Sequence, residues 1–339
     1  MKSTAVVILN WNGKGLLEKF LPSVVRYSSE VADVVVIDNG STDDSCLFVQ
    51  SHYPMITLVS LDRNYGFAEG YNRGLSTLNY TYVVLLNSDV EVTENWLSPM
   101  ISYLDSHPEV VAAQPKLLDY KNPSRFEYAG ACGGFIDKFG YPFCRGRILD
   151  NLESDKGQYD GESPILWASG AALFIRLEEY IKAGGLDSTF FAHMEEIDLC
   201  WRLVARGWII VSIPQSVVYH VGGATLSTSN PQKLSLNFRN NLLMLYKNLP
   251  RKFFLRVMMA RYFLDLLAAV RLFITLHPRQ SLSVFRAHYD FLRVKKQYKG
   301  KQKENWEKSK NLYHSPVYQH SILFSYYFKG HKTFAELPF

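Results

Sequence analysis

The chain has 339 residues, 47% of them hydrophobic, and a net charge of +5. That is ample apolar material for a core and long for one ordinary domain, so two folded units are expected and a disordered chain is excluded. The four cysteines, Cys46, Cys132, Cys144 and Cys200, include no Cys-x-x-Cys pair, which argues against a zinc ribbon or a disulfide scaffold and suits a reducing cytoplasm.

The short apolar run Ala5 to Leu9 has no cleavage-like site beside it and reads as a first strand rather than a secretion signal. Further β-branched runs at Val34 to Ile37, Ile56 to Val59 and Tyr82 to Leu86 alternate with stretches of helical spacing, a βαβ series that predicts a mostly parallel sheet. Between the first two runs, Leu16, Leu17, Phe20, Leu21, Val24 and Val25 share a helical face, which Pro22 is expected to kink. A helix around Asn95 to Leu104 and a strand at Val110 to Ala113 follow. From Lys121 to Pro164 the pattern dissolves into Gly, Pro, Asp and aromatic residues, as in long loops with a binding role. Regular signals return as a strand at Ile165 to Ile175, helices at Glu178 to Ala183 and Asp198 to Arg206, and a strand at Ile209 to Ile213.

Three places could carry chemistry. The run Tyr82 to Leu86 fits a fully buried strand and ends in Asn87-Ser88-Asp89, and ligands of open α/β sheets bind at such strand ends. A carboxylate there needs a partner, and Mg2+ or Mn2+ bridged to a nucleotide diphosphate is a natural one; a helix cap is the plainer account. Glu195, Glu196 and Asp198 crowd three acids into four residues, which raises their proton affinity and suits a general base, or simply favours a helix start. His220, at the end of Ser216 to Tyr219 and before Gly222-Gly223, is a credible metal ligand or phosphate contact. Asn39-Gly40-Ser41 after the second strand, and Arg63-Asn64 with Gly66 and Gly70, offer backbone amides and a cation to phosphate or ribose, although capped turns and helix packing fit them equally.

Beyond Pro250, Phe253 to Leu276 is strongly apolar yet carries Arg256, Arg261, Asp265 and Arg271. A central charge costs a spanning helix about 2.5 to 3.5 kcal/mol, so an amphipathic helix is expected, either lying on a membrane or packing its apolar side on the rest of the protein. Arg293 to Lys310 holds eight Lys or Arg against Glu304 and Glu307, a solvated face or a contact for anionic lipid. No nucleic-acid motif accompanies it.

As an ordered set, Val7 to Asn12, Val36 to Asp43, Arg63-Asn64 with Gly66-Phe67-Ala68, Asn87-Ser88-Asp89, Trp167 to Ala171, Phe190-Phe191 with Glu195 to Arg202, and Val218-Tyr219-His220 resemble the family 2 glycosyltransferases, in particular their rhamnosyltransferase-like, non-processive bacterial branch. The resemblance covers roughly residues 3–248. It implies an α/β GT-A-type nucleotide-sugar-binding fold in residues 1–250; 251–339 lie beyond it and are expected, from their own amphipathic and basic pattern, to be a C-terminal helical membrane-associating region. It further implies inverting, metal-dependent transfer from a UDP- or dTDP-linked donor, dTDP-rhamnose among them, to a glycan or lipid-linked acceptor in cell-surface polysaccharide synthesis, on the anionic inner face of the cytoplasmic membrane. Carried over residue by residue, Asn10, Asn12, Asp38, Asn39, Ser41, Arg63, Asn64, Gly66, Asn72, Asn87 and Ser88 would hold the donor, Asp89 and His220 the Mg2+ or Mn2+, and Glu196 would be the base, with Glu195 and Asp198 as substitutes. Two departures stand out: Asn87 replaces the first acid of the Asp-x-Asp triplet, and Glu196 replaces the Asp of the usual Glu-Asp pair. The alternatives are a sugar nucleotidyltransferase, which would need a Gly-rich, basic loop where Asn10 to Gly13 stands, and an inactive membrane-tethered scaffold.

Overall fold

The structure, a computed structural model, describes residues 2–190, 192–222, 231–310 and 316–339; Phe191 and Gly223 of the motifs lie outside them. The βαβ series is present in the order expected: β1 (Thr4–Asn10), α1 (Lys14–Ser28), β2 (Asp33–Asp38), α2 (Ser45–His52), β3 (Thr57–Ser60), α3 (Gly66–Leu75) and β4 (Tyr82–Leu86). Helix α1 runs through Pro22 without interruption. Along β1, β2 and β4 alternate side chains enter two cores: Val7, Val35, Ile37 and Leu85 on one face, Ile8, Val36, Val84 and Leu86 on the other. Burial on both faces is why these strands read as unbroken apolar runs.

After β5 (Val90–Val92) and α4 (Ser98–Ser106), β6 extends from Val110 to Asp119, well past the expected end at Ala113. The stretch 121–164 is more regular than expected, with β7 (Gly134–Asp137), β8 (Pro142–Cys144), β9 (Arg147–Ile148) and β10 (Asn151–Leu152). Strands of two to four residues are too short to leave a readable period. The single strand expected over 165–175 is two, β11 (Ser163–Ile165) and β12 (Ala172–Arg176), separated by the turn at 166–171. Then come α5 (Leu177–Lys182), α6 (Glu195–Ala205), β13 (Ile209–His220), α7 (Pro231–Asn248), α8 (Arg251–Ile274), α9 (Pro278–Val294), α10 (Lys299–Lys308), β14 (Val317–Tyr318) and α11 (Ile322–Tyr327).

The main sheet runs β11-β13-β6-β12-β4-β1-β2-β3, with β5 also on β13. It is mixed, which corrects the mostly parallel expectation. β1, β2, β3 and β4 pair in parallel, as do β6 and β13, but β12 is antiparallel to both β4 and β6, and β5 and β11 are antiparallel to β13. A second sheet, β10-β9-β8-β7-β14, draws its last strand from near the C-terminus.

Helix α8 turns two of its charges inward: Arg261 and Asp265 are buried and paired at 3.2 Å, with His288 of α9 at 3.1 Å from Asp265 and Tyr141 donating to Asp265 at 2.9 Å. Of the two expected placements of its apolar side, packing on the rest of the protein is not what is found, since Leu255, Met259, Phe263 and Leu267 face outward. The basic run is partly docked, Lys301 reaching Asp187 at 2.9 Å and Gln302 and Trp306 donating to carbonyls of Tyr246 and Leu249. Among the described residues no helix is long and apolar enough to cross a membrane.

Candidate functional site

The carboxyl ends of β1 and β2 form one polar corner. Asn10 donates to Asp38 Oδ1 and to Ser41 Oγ, both at 3.2 Å, and Asp38 Oδ2 accepts from the Ser41 amide at 2.9 Å. Asn12 donates its amide to Ser41 Oγ at 2.9 Å and accepts from the Thr42 amide at 2.7 Å. Asn39 ties this corner to the loop before α3, accepting from the Tyr65 amide and donating to Asn64 Oδ1 and the Gly66 carbonyl, each at 3.0 Å. Gly40, at φ +71°, lets the Arg63 backbone approach so closely that a Cβ would stand 2.4 Å from it. Arg63 itself is exposed over the Tyr65 ring. The expected donor residues Asn10, Asn12, Asp38, Asn39, Ser41, Asn64 and Gly66 therefore form one connected network.

Asn72 lies outside it. Its amide donates to the Leu186 carbonyl at 2.8 Å and accepts from the Leu186 amide at 3.0 Å and the Tyr180 hydroxyl at 2.6 Å, bonds that staple α3 to the loop after α5. Both polar atoms of its side chain are thereby engaged with the protein.

Asp89 follows the buried β4 and meets His220 at the end of β13, with Asp89 Oδ1 3.2 Å from Nε2. The Val221 amide donates to the Asp89 carbonyl, and Asn87 Nδ2 lies 3.5 Å from His220 Nε2; Ser88 between them is half-buried. On the far side of the ring, Glu127 Oε1 is 3.3 Å from His220 Nδ1, close enough for charge attraction though without hydrogen-bond alignment. Burial alone would lower the His220 pKa, but the two carboxylates raise it to about 10. Burial would likewise raise that of Asp89, and the His220 contact carries it below its ordinary value. Glu127 was not anticipated; it sits in the stretch without periodicity, where nothing in the pattern marks it.

Among the described residues no three His, Cys, Asp or Glu side chains converge to hold a cation on their own. A carboxylate oxygen and an imidazole nitrogen 3.2 Å apart nevertheless fit Mg2+ or Mn2+ of the kind completed by substrate phosphates, which rarely has a full protein cage, once the cation displaces the proton from His220 Nε2.

The acidic cluster opens α6 after two non-glycine residues in left-handed backbone, His193 (φ 71°) and Met194 (φ 75°), a strained entry typical of functional sites. The three acids part there. Asp198 points into the interior, accepting from Arg202 Nε at 2.9 Å and Asn248 Nδ2 at 2.8 Å and pairing with Lys247 at 2.8 Å. Burial opposes its ionisation, but Lys247 and Arg202 hold it below its ordinary value. Glu195 is buried with Oε2 unpartnered among the described residues, and burial beside Glu196 raises its pKa strongly. Glu196 is half-buried on a cavity of about 470 Å³, walled also by Tyr128, Arg147, Trp167, His193 and Lys233, and burial raises its pKa to about 7.

The turn at 166–171 joins the two halves. The Ala171 carbonyl accepts from the Asn87 amide at 3.0 Å, and a Cβ on the preceding Gly170 would lie 3.5 Å from the Phe67 ring and 3.9 Å from Glu196 Cβ. Asp89, the loop before α3 and Glu196 thus border one place. A larger recess of about 760 Å³, lined by Lys2, Tyr80, Arg176 and Trp208, lies at the opposite, amino-terminal end of β1 and holds none of these groups.

A family model described as glycosyl transferase family 2 matches residues 5–143. The N-acetylglucosaminyl-diphospho-decaprenol L-rhamnosyltransferase of Mycobacterium tuberculosis is 25% identical over 229 residues, 63% of this chain and 75% of that protein. Rhamnosyltransferase WbbL of Escherichia coli K12 is 22% identical over 256 residues, 73% of this chain and 92% of the relative. GalNAc-T7 with UDP, GalNAc and Mn2+ superposes with a TM-score of 0.58 at 15% identity, over 73% of this chain, which spans about half (48%) of that one. The mannosyltransferase PcManGT of Pyrobaculum calidifontis, with GDP-Man and Mn2+, superposes with a TM-score of 0.54 at 15% identity, over 86% and 87% of the two chains. These likenesses carry the GT-A-like fold.

Proposed function

We propose, for a chain that belongs to glycosyl transferase family 2 and is a glycosyltransferase using a nucleotide-sugar donor, that it performs a metal-dependent, inverting transfer with Glu196 as the base. The observation that carries this reading is the pairing, across Gly170 and Ala171, of the Asp89–His220 strand ends with a half-buried carboxylate whose pKa is raised to about 7. A group with that proton affinity can accept a proton from an acceptor hydroxyl near neutral pH. As the hydroxyl oxygen attacks the anomeric carbon, Glu196 takes its proton and the nucleoside diphosphate leaves from the opposite face, inverting the configuration. The Asn10–Asp38–Ser41–Asn39 network positions the nucleoside. Mg2+ or Mn2+, when held by Asp89 and His220, supplies charge against the departing diphosphate.

The donor is UDP- or dTDP-linked, dTDP-rhamnose among the candidates, and the acceptor a glycan or lipid-linked sugar of a surface polysaccharide. The relatives named for rhamnosyl transfer and for a diphospho-decaprenol acceptor support both. Residues 1–250 form the catalytic unit, and 251–339 keep the enzyme peripheral on the inner membrane face. The test is a melting panel of UDP, dTDP and GDP with and without Mn2+. Ligand at a hundred times its dissociation constant adds about 2.7 kcal/mol of stability. A metal-dependent shift with UDP or dTDP is expected, and no shift with any nucleotide would sink the reading.

A further inference from the structure

The inverted polarity of α8 leaves an apolar surface without cover. Leu255 (70% exposed), Met259, Phe263 (61%), Leu267, Phe273 (66%) and Leu276 (87%) follow one another at helical spacing along and just past the helix, opposite the buried Met258, Arg261, Asp265 and Ala269. Helix α9, bound to it through Ser281 Oγ and the Ala269 carbonyl, has its own outward stripe of Leu282, Phe285, Tyr289 and Leu292. An exposed apolar face of this extent on a packed helix pair marks an interaction site.

Charge identifies what covers it. Every fully exposed charged side chain on α8 and α9 is Lys or Arg, among them Arg256, Arg271, Arg279, Arg286 and Arg293. Asp265 is buried, and the half-buried Asp290 faces Arg286 at 3.8 Å. A second copy docked by two-fold symmetry would bring these cations together. An anionic bilayer accepts the apolar side chains in its interface and the long cationic ones among its head groups.

The cavity beside Glu196 comes close to the rim of this face, at Tyr327. Arg261 of α8 and Tyr327 of α11 both line that cavity, Arg271 donates to the Tyr327 hydroxyl at 2.6 Å, and the exposed Phe328 and Phe324 flank Tyr327. We infer that α8 and α9 rest their outward face in the interface of an anionic membrane, and that the Glu196 cavity opens beside it at Tyr327, receiving the polar head of an amphiphilic acceptor whose chains stay in the bilayer. This rests on the transfer reading for the role of Glu196 but not for the membrane contact.

Sedimentation of the full chain with vesicles of phosphatidylglycerol and phosphatidylcholine, against phosphatidylcholine alone, tests the contact. The wild type should pellet with the anionic vesicles. Phe263→Glu/Phe273→Glu, both at exposed positions, should bind at least tenfold more weakly while keeping the wild-type melting temperature and nucleotide-induced shift. Equal binding by the two proteins, or none by the wild type, would overturn the inference. So would a dimer in vesicle-free buffer that the double substitution converts to monomer, since the occupant would then be a second copy. A bimane label on Phe328→Cys should be quenched by brominated lipid and one on Met55→Cys should not; a Phe328 label left in water on bound protein would overturn the placement of the cavity. Vesicle binding without any nucleotide-induced shift would instead defeat the transfer reading and leave the membrane contact standing.

Discussion

His220 Nε2 lies 3.2 Å from Asp89 Oδ1, so two residues 131 positions apart close the carboxyl-terminal end of the sheet with one carboxylate and one imidazole. The contact exists because β13 lies beside β6 and turns back on β5, pairing His220 with Val90, the residue after Asp89.

Replacement of Asp89 by Asn preserves shape and removes the charge. Metal-dependent nucleotide binding should disappear from the melting panel while the fold persists by circular dichroism, and transfer should fall by several orders of magnitude, since metal charge stabilisation contributes several kcal/mol. Normal transfer at saturating donor would make Asp89 only a structural partner of His220.

Glu196 predicts a pH profile. As a base it works deprotonated, so the turnover rate should rise with pH through about 7 and level off above it. The folded value exceeds the ordinary 4.5, so the folded chain keeps a proton that the unfolded chain releases. Glu196 therefore costs stability as pH rises between about 4.5 and about 7. Glu196→Gln should lower turnover by about 10² to 10⁴ with donor affinity retained, and should remove that stability loss. Full activity in this variant would shift the base assignment to Glu195.

Much of this site was legible in the chain. Tyr82 to Leu86 is found with the ends expected, because a strand buried on both faces is unbroken in sequence, and Asp89 and His220 mark where such runs stop. Glu127 left no trace, since its neighbours are bridges and short strands without a period. The sidedness of α8 was equally hidden. A helical wheel separates Arg261 and Asp265 from Phe263 and Leu267, but which half faces the protein depends on Tyr141 and His288 lying ready to pair with Asp265.

Asn72 is grouped with the donor residues by its place in a motif, while its side chain is bonded to Leu186 and Tyr180. Asn72→Ala removes one donor and one acceptor from a largely buried junction. A stability loss of about 1 to 3 kcal/mol is expected in urea unfolding, with donor affinity unchanged in the surviving folded protein. A selective loss of nucleotide affinity at full stability would return Asn72 to the donor site.

Lys247 is the buried cation between two acids, with Nζ 2.6 Å from Asp187 Oδ2 and 2.8 Å from Asp198 Oδ1. Burial opposes ionisation of both carboxylates, but Lys247 and their other partners hold both below the ordinary carboxylate value. The folded chain therefore binds fewer protons than the unfolded one. The resulting stability is fully present above the unfolded pKa of about 3.9 and is lost as pH falls through the lower folded values. Lys247→Met strands two carboxylates in the interior and should cost about 3 to 5 kcal/mol near neutral pH. Urea unfolding at stepped pH should also show a flatter acid limb for the variant, because its carboxylates are no longer held so low. A variant as stable as wild type, with an unchanged acid limb, would mean that Arg202, Asn248 and Lys301 hold Asp198 and Asp187 ionised without it.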